Sequence, residues 1–249
     1  FVRQRSLYMV KLTNVLDHTF PEFKPFFGNR FSKTALFILD KYPAPSNIME
    51  IPDSDYDELR CISRGKFSFA KLIMLRDLAK NTVGESNDIF ELEITSIINL
   101  YNICNSEISK MDEEITSLIY ELHPHVLSVP GIGPITAAVI TSEYRDVKRF
   151  SSPDKMLSFA GLEPGYYQSG TMEFQGKMVK RGSSQLRCTL MNCTLPLIRF
   201  SPVFATYYHK KRQEGKTHRV ALSHVAKKLL RVIYKLEIND VDFDESKLR

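Results

Sequence analysis

The sequence predicts a mainly α protein, with a helical and coiled-coil region followed by a mostly helical domain. Apolar residues recur at helical spacing over most of the chain, and prolines and glycines interrupt them at intervals typical of helix ends. The exception is a Gly- and aromatic-rich stretch around Ser169, where we expect two short strands or a loop. With 249 residues, 43% of them hydrophobic and 25% charged, the chain can bury a substantial core.

The composition excludes several classes of protein. No apolar run approaches the roughly 18–20 residues that a membrane-spanning helix needs, and no signal-peptide pattern opens the chain. The four cysteines show neither the spacing of a zinc site nor a dense disulfide framework. We therefore expect a cytoplasmic protein with reduced thiols and no membrane partner.

The first third of the chain predicts a series of short helices. Apolar stripes predict helices at about residues 1–18, 32–41 and 67–80, and the dense prolines of the connection at residues 20–27 block a continuous helix there. The acidic run at residues 53–58 has the residue types of a metal site. Acids at a helix start also complement its positive end, and we favour that interpretation.

A heptad pattern gives the clearest helix prediction, at about residues 86–122. Apolar residues follow one another there at alternating spacings of 3 and 4, as in a coiled coil. The seam consists of Ile94, Ile97, Tyr101, Cys104, Ile108, Met111, Ile115 and Leu118. Its partner is either another helix of the same chain, such as the one near Phe1, or a second copy of residues 86–122. The second alternative makes the protein a homo-oligomer.

Pro124 interrupts the heptad pattern, so we place a domain boundary close to it. The predicted segments are a helical linker and coiled-coil region at 1–123, a helical domain at 124–236 and an acidic tail at 237–249. We expect the tail to be loosely held.

The second predicted domain opens with a glycine turn, Val-Pro-Gly-Ile-Gly-Pro at residues 129–134. Gly131 and Gly133 permit positive φ angles, and Pro134 fits the first turn of a following helix. The pattern predicts a helix-hairpin-helix whose exposed backbone N–H groups bind a phosphate. Gly131 and Gly133 are therefore candidate DNA-binding residues, with contacts that position DNA without reading its sequence.

A single hydroxyl in the irregular stretch, Ser169, precedes a glycine and a set of cations. These cations are Lys177, Lys180, Arg181 and Arg187. Cationic side chains stabilise the charge that builds up on a phosphate under attack, so we predict Ser169 as a nucleophile and the four cations as DNA-binding residues. A plain turn is the alternative interpretation of the Gln-Ser-Gly sequence.

The C-terminal third of the chain is strongly basic. Residues 177–235 contain many lysines and arginines but a single acidic residue, Glu214. This imbalance predicts a polyanion such as DNA as a partner, with a solvated basic face as the alternative.

These motifs together resemble a family of insertion-sequence transposases. The resemblance rests on residues 130–137, 149–150, 158–164, 168–170, 180–183 and 186–187, and it extends over about residues 127–235. The family joins an N-terminal RuvC-like Asp-Glu-Asp-Asp domain to a C-terminal serine domain, and it includes bridge-RNA-guided recombinases and related DNA invertases. The chain resembles the C-terminal part.

The resemblance implies DNA cleavage and strand exchange through a phosphoserine intermediate at Ser169. It also implies DNA and a structured guide RNA as partners. We expect the RuvC-like domain to precede Phe1, and Mg²⁺ is implied for that domain alone. Other hypotheses remain: a helix-hairpin-helix module that binds DNA or RNA without catalysis, an inactive truncated transposase, and an assembly element built on residues 86–122.

Overall fold

The computed structural model describes residues 1–169, 172–179 and 181–247, and for residues 164–169 and 172–177 it describes the backbone alone. The fold is mainly α, which confirms the sequence prediction. In the first half of the chain the helices are α1 (Val2–Thr19), α2 (Phe23–Phe27), α3 (Lys33–Lys41), α4 (Pro45–Met49), α5 (Tyr56–Ile62), α6 (Phe69–Lys80) and α7 (Asp88–Leu122). In the second half they are α8 (Pro134–Tyr144), α9 (Pro153–Phe159), α10 (Ser184–Phe200), α11 (Pro202–Gln213) and α12 (His218–Asn239).

Two antiparallel strands, β1 (Pro164–Ser169) and β2 (Met172–Met178), form a hairpin between α9 and α10. The pairing runs from Pro164 opposite Met178 to Ser169 opposite Met172, with an irregularity between Pro164 and Tyr166. The sequence prediction of two short strands in this region is confirmed.

The chain divides into two compact units, Phe1–Met111 and Asp112–Arg249. The division falls within α7, whereas the sequence places a boundary near Pro124. The predicted assignment of these segments as domains stays a prediction.

Short helices pack around one apolar core in the first unit. That core includes Leu12 of α1, Ile38 of α3 and Leu72 of α6. The expectation that these prolines block a continuous helix is confirmed, because α1 ends at Thr19 and the separate helix α2 spans the five residues Phe23–Phe27. Pro25 fits there since the first-turn N–H groups of a helix have no intrahelical acceptor to lose.

The burial of the heptad seam changes along α7. Ile94 and Ile97 are buried in the core of the first unit, so this part of the seam has its partner within the chain. Arg5 of α1 also donates a hydrogen bond of 3.1 Å to Asn105. Farther along, Met111 and Leu118 are exposed. Ile115, between them, packs against the core of the second unit, so the late seam is exposed only in part.

The acids at residues 53–58 lie in the first turns of a 3-10 helix, Asp53–Asp55, and of α5, which confirms their predicted place at a helix start. Asp53 accepts from Arg76 at 2.7 Å, and Asp55 accepts from Lys41 at 2.6 Å and from the Tyr42 hydroxyl. Neither carboxylate forms a side-chain capping hydrogen bond, so that part of the interpretation is wrong for Asp53 and Asp55.

In the second unit, α12 packs against α9, α10 and α11. The shared core contains Tyr144 of α8, Leu190 of α10 and Leu229 of α12. Serines cap two of these helices as the sequence predicts: the Ser152 hydroxyl accepts from Lys155 and the Ser183 hydroxyl accepts from Leu186. Helix α10 continues through Pro196 to Phe200.

The acidic segment after Glu237 is held by specific contacts, so the expectation of a loosely held tail is wrong. His125 contacts Asp242 at 2.8 Å and Asp240 at 2.9 Å through its two ring nitrogens. Glu245 accepts from the Ser201 hydroxyl at 2.5 Å and from the Val203 N–H at 3.2 Å. The carboxylates of the tail thus satisfy donors elsewhere in the second unit, including one in the open first turn of α11.

Candidate nucleic-acid interface

The glycine turn at residues 129–134 connects a 3-10 turn, His125–Ser128, to α8. Gly131 has a φ of +85°, and a Cβ at this position would come within 2.9 Å of the Pro196 carbonyl carbon in α10. Gly133 instead has a φ of −89°, so the expectation of a positive φ is wrong there. The element before the turn is also shorter than the helix that a helix-hairpin-helix requires.

The start of α8 nevertheless has the properties of an anion-binding position. Gly133 is the exposed N-cap residue, and no side chain caps the helix. Pro134 has no N–H, and the N–H groups of Ile135 and Thr136 lie in the first turn, where intrahelical acceptors are absent. Open first-turn N–H groups and the helix dipole together favour a phosphate oxygen at this end.

A close backbone junction lies at the base of the hairpin. Gly161 has a φ of +65° and Gly182 a φ of +97°. A Cβ at Gly161 would collide with the Arg181 carbonyl oxygen, and one at Gly182 would collide with the Phe159 carbonyl oxygen. Two hydrogen bonds join the same segments, Ser183 N–H to Phe159 at 3.0 Å and Val179 N–H to Glu163 at 2.9 Å. Glycine at both positions allows this approach, which anchors the hairpin to α9 and α10.

The hairpin separates the predicted nucleophile from two of the predicted cations. Ser169 is the last residue of β1, at the far end from the junction. Five residue steps of about 3.3 Å give roughly 16 Å along the strand between Pro164 and Ser169. Arg181 follows the junction directly, and Arg187 in the first turn of α10 donates to the Ala160 carbonyl at 3.4 Å. The path along β1 from this junction to Ser169 is therefore long, and the predicted roles of Arg181 and Arg187 beside Ser169 stay predictions.

Some predicted site residues lie outside the described part of the structure. Gly170 and Lys180 belong to the residues that are not described, as do the side chains of Ser169 and Lys177. The roles of Ser169, Lys177 and Lys180 stay predictions.

A basic cleft between α11 and α12 is a feature that the sequence pattern did not single out. The cleft has a volume of about 590 Å³ and is lined by Pro202, Val203, Thr206, Tyr207, Lys210, Lys228 and Arg231. The Lys228 ammonium lies 4.8 Å from the centre of the Tyr207 ring. In the described residues Lys210 and Lys228 have no carboxylate partner, whereas Arg231 pairs with Asp154 at 3.2 Å.

Electrostatics in the cleft favour an incoming anion. Burial lowers the pKa of Lys228, and burial together with the charge of Arg231 lowers the pKa of Lys227. A lowered lysine pKa means that the charged form lacks compensation from nearby anions. A bound phosphate would supply that compensation. The excess of lysine and arginine in the sequence predicted that this part of the chain is basic. It could not predict which side chains meet in the cleft, because they come from two different helices.

Comparison with known proteins identifies a class for the segment that contains the glycine turn and the hairpin. Residues 123–209 match the sequence model described as the transposase IS116/IS110/IS902 family. The matched range extends from the 3-10 turn through the hairpin and α10 into α11, and it ends before α12.

Individual relatives point to the same class. The chain is 27% identical over 160 residues to the insertion element IS110 uncharacterized 43.6 kDa protein of Streptomyces coelicolor, covering 64% of this chain and 39% of that protein. It is 32% identical over 121 residues to the insertion element IS900 uncharacterized 42 kDa protein of Mycobacterium paratuberculosis, covering 47% and 30% of the two chains. It is 28% identical over 152 residues to the pilin gene-inverting protein of Moraxella bovis, covering 57% and 46%. The chain thus spans less than half the length of these relatives.

Two further findings concern the described residues alone. No helix among them is both long enough and apolar enough to cross a membrane. No group of three or more His, Cys, Asp or Glu side chains converges there in a way that could hold a metal ion.

Proposed function

We propose that this chain is part of a DNA transposase or site-specific recombinase, and that Ser169 is the nucleophile that joins it to DNA. The observation that carries the proposal is the match of residues 123–209 to a transposase family, because that range contains the hairpin whose first strand ends at Ser169. Similarity to a pilin gene-inverting protein extends the proposal from transposition to inversion of DNA segments.

In the proposed reaction the Ser169 hydroxyl oxygen attacks a phosphodiester phosphorus. A serine O–P bond forms as the bond from phosphorus to a deoxyribose oxygen breaks. Ser169 loses its proton, and the departing deoxyribose oxygen gains one and leaves as a hydroxyl. Attack of another deoxyribose hydroxyl on the phosphoserine reverses these steps and rejoins the strand, so the energy of the phosphodiester is retained.

Cations must stabilise the charge on the phosphate under attack. Arg181 and Arg187 lie at the base of the hairpin, about 16 Å along β1 from Ser169 by the usual strand rise. We infer that they hold the hairpin and the DNA backbone near its base, and that other groups reach the phosphate at Ser169. The described residues do not fit a Mg²⁺ site, so the chain's own steps are derived without a metal ion.

DNA binding in this proposal rests on two regions of the second unit. One is the open start of α8 at Gly133, and the other is the cleft of Lys210 and Lys228. Both present positive charge to a phosphate without a base-reading contact, as expected for binding that positions DNA. A structured guide RNA is a second proposed partner for the same basic surfaces, and RNA that co-purifies and protects defined nucleotides would support it.

A test of the nucleophile uses protein from the complete reading frame and DNA carrying the ends of its element. We expect a covalent protein–DNA adduct that survives denaturation and disappears in Ser169→Ala, while DNA affinity stays within about twofold. Ser142→Ala, an exposed serine on α8, is the matched control and should keep the adduct. An adduct that persists in Ser169→Ala would refute the assignment of Ser169.

The open α8 start and the basic cleft also favour a second candidate function, a DNA-binding module without chemistry. Under that hypothesis the wild-type protein binds duplex DNA with a steep salt dependence but forms no adduct with any substrate. The same experiment therefore separates the two functions.

We also propose self-association through α7. The support is the exposed apolar surface late in the helix, where Leu118 and Leu122 are 55% and 69% exposed. Light scattering of the wild type should give a mass above that of one chain, and Leu118→Glu should lower it. Glu114→Gln, an exposed position on the same helix, should leave the mass unchanged.

A further inference from the structure

A second basic cleft lies in the first unit, outside the range matched by the transposase family. It has a volume of about 420 Å³ and is lined by Phe26, Phe27, Ser32, Lys33, Thr34, Ile62, Ser63, Arg64, Lys66, Phe67 and Lys71. This size falls within the range of roughly 300–1,000 Å³ typical of small-ligand pockets. The lining contains four cations and no carboxylate.

Three phenylalanines form the apolar part of the cleft. The Phe27 and Phe67 rings are stacked, with centroids 6.2 Å apart and planes 8° apart. The Phe26 ring meets Phe27 edge-on at 4.9 Å. Phe67 is buried, whereas Phe26 and Phe27 are half-buried and keep part of their surface accessible. This arrangement offers aromatic surface to a flat apolar group.

The cations stand on three elements around these rings. Lys33 is the first residue of α3, Arg64 and Lys66 lie in the turn between α5 and α6, and Lys71 lies in α6. All four are exposed, and in the described residues none has a carboxylate partner.

Backbone contacts hold the cationic turn in place. The Phe67 N–H donates to the Ser63 hydroxyl at 3.0 Å, and the Gly65 N–H donates to the Arg60 carbonyl at 2.8 Å. The Lys71 ammonium donates to the Lys66 carbonyl at 3.1 Å, which keeps that charge at the edge of the cleft. The charges are thus arranged around the aromatic rings before any ligand binds.

We propose that this cleft binds single-stranded nucleic acid, with an unstacked base against Phe26 and Phe27 and the flanking phosphates on Lys33, Arg64, Lys66 and Lys71. Aromatic surface beside a cationic rim suits a strand whose bases are free to leave a stack. A duplex keeps its bases stacked and offers this cleft phosphates alone. The site should therefore bind single strands in preference to duplexes.

The test measures binding of fluorescent 20-nucleotide dT and U strands, and of a DNA duplex, by anisotropy. We expect Lys71→Glu to weaken single-strand binding about fivefold or more relative to Lys80→Glu, and to affect the duplex no more than Lys80→Glu does. Lys80 is exposed, lies on the same helix and does not line the cleft, so the control has the same charge change. Tighter binding of U or of dT would identify RNA or DNA as the natural strand.

Photo-crosslinking of an iodouracil-substituted strand tests the base contact directly. We expect crosslinked peptides from residues 26–27 or 62–71, and loss of that crosslink in Phe27→Leu with the melting temperature monitored alongside. Equal single-strand affinities of Lys71→Glu and Lys80→Glu, or crosslinks confined to residues 112–247, would overturn the proposal. Neither result depends on an adduct at Ser169, so this proposal and the proposal that Ser169 is the nucleophile can be refuted independently.

Discussion

The backbone N–H of Ser183 donates a hydrogen bond of 3.0 Å to the carbonyl oxygen of Phe159, and this bond joins the end of α9 to the start of α10. Gly161 and Gly182 lie on either side of the same contact and leave no room for a Cβ. The hairpin that carries Ser169 begins and ends at this junction. The attachment of the hairpin to α9 and α10 therefore depends on glycine at positions 161 and 182.

Replacement of Gly161 by alanine should destabilise the second unit by roughly 2–4 kcal/mol, because a positive φ and a backbone collision both act against a Cβ there. Gly215→Ala is the matched control. Gly215 also has a positive φ, +78°, but nothing lies within 4 Å of its added Cβ, so the loss should be about 1 kcal/mol. Urea unfolding measures both, and equal losses would show that the junction is not tightly packed.

Removal of the Ser183 hydroxyl should cost about 1 kcal/mol of stability, since its oxygen accepts the Leu186 N–H at 3.1 Å and caps α10. The neighbouring Ser184 lies inside the helix and is exposed. Ser184→Ala should therefore be neutral or slightly stabilising, because alanine is the better helix former. The melting temperatures of Ser183→Ala and Ser184→Ala compare the loss of a capping serine with the loss of an exposed serine in the same helical turn. A Ser183→Ala variant as stable as Ser184→Ala would contradict the cap.

The contact between His125 and the tail predicts a pH-dependent stability. Hydrogen bonds that the His125 ring donates to Asp242 and to Asp240 raise the pKa of His125, and the negative charge of Glu237 raises it further. A raised folded pKa gives a stabilisation that is complete below the unfolded pKa of about 6.5 and is lost as pH rises through the folded value. The hydrogen bond to His125 lowers the pKa of Asp240. The contribution of Asp240 to the stability is therefore lost as pH falls through that lowered pKa.

Wild type and His125→Gln should therefore differ most in unfolding free energy just below about pH 6.5 and converge as pH rises through the raised pKa of folded His125. His209→Gln is the control, because His209 is exposed and has no carboxylate contact among the described residues. Chemical unfolding across this pH range gives both profiles. A His125→Gln difference that does not change with pH would mean that the imidazole is not charged in this contact.

Loss of the Lys228 charge should weaken duplex DNA binding about fivefold at low salt and reduce the slope of log affinity against log salt by about one. Lys228→Met keeps the apolar part of the side chain near Tyr207, so stability should change little. Lys148→Met, at an exposed position of the second unit outside this cleft, controls for net charge. Anisotropy at several salt concentrations measures both variants, and identical slopes would exclude Lys228 from the interface.

Helix positions and several helix ends could be read directly from the residues. Ser32, Ser152 and Ser183 cap the helices that follow them, and Gly161 takes the positive φ expected after α9. These features depend on hydrogen bonds and φ angles within a few residues, so local residue types are enough to predict them. The long helix α7 was predicted for the same reason, through its repeating apolar positions.

Contacts between distant residues could not be read in the same way. Asp53 and Asp55 have the pattern of capping acids, yet Arg76 and Lys41 compete for them. Glu245 belongs to a segment that composition describes as an acidic tail, yet it bonds to the start of α11. In each case the partner is set by packing of helices far apart in the chain.

The amino-acid sequence alone determined the mainly α fold and the basic character of the C-terminal part, and it left two strands or a loop open around Ser169. Only the tertiary structure decided that two strands pair there as a hairpin, and that two basic clefts form beside aromatic side chains. The physical reason is that a helix or a strand pair depends on neighbouring residues. A cleft depends on side chains that meet only after separate elements have packed together.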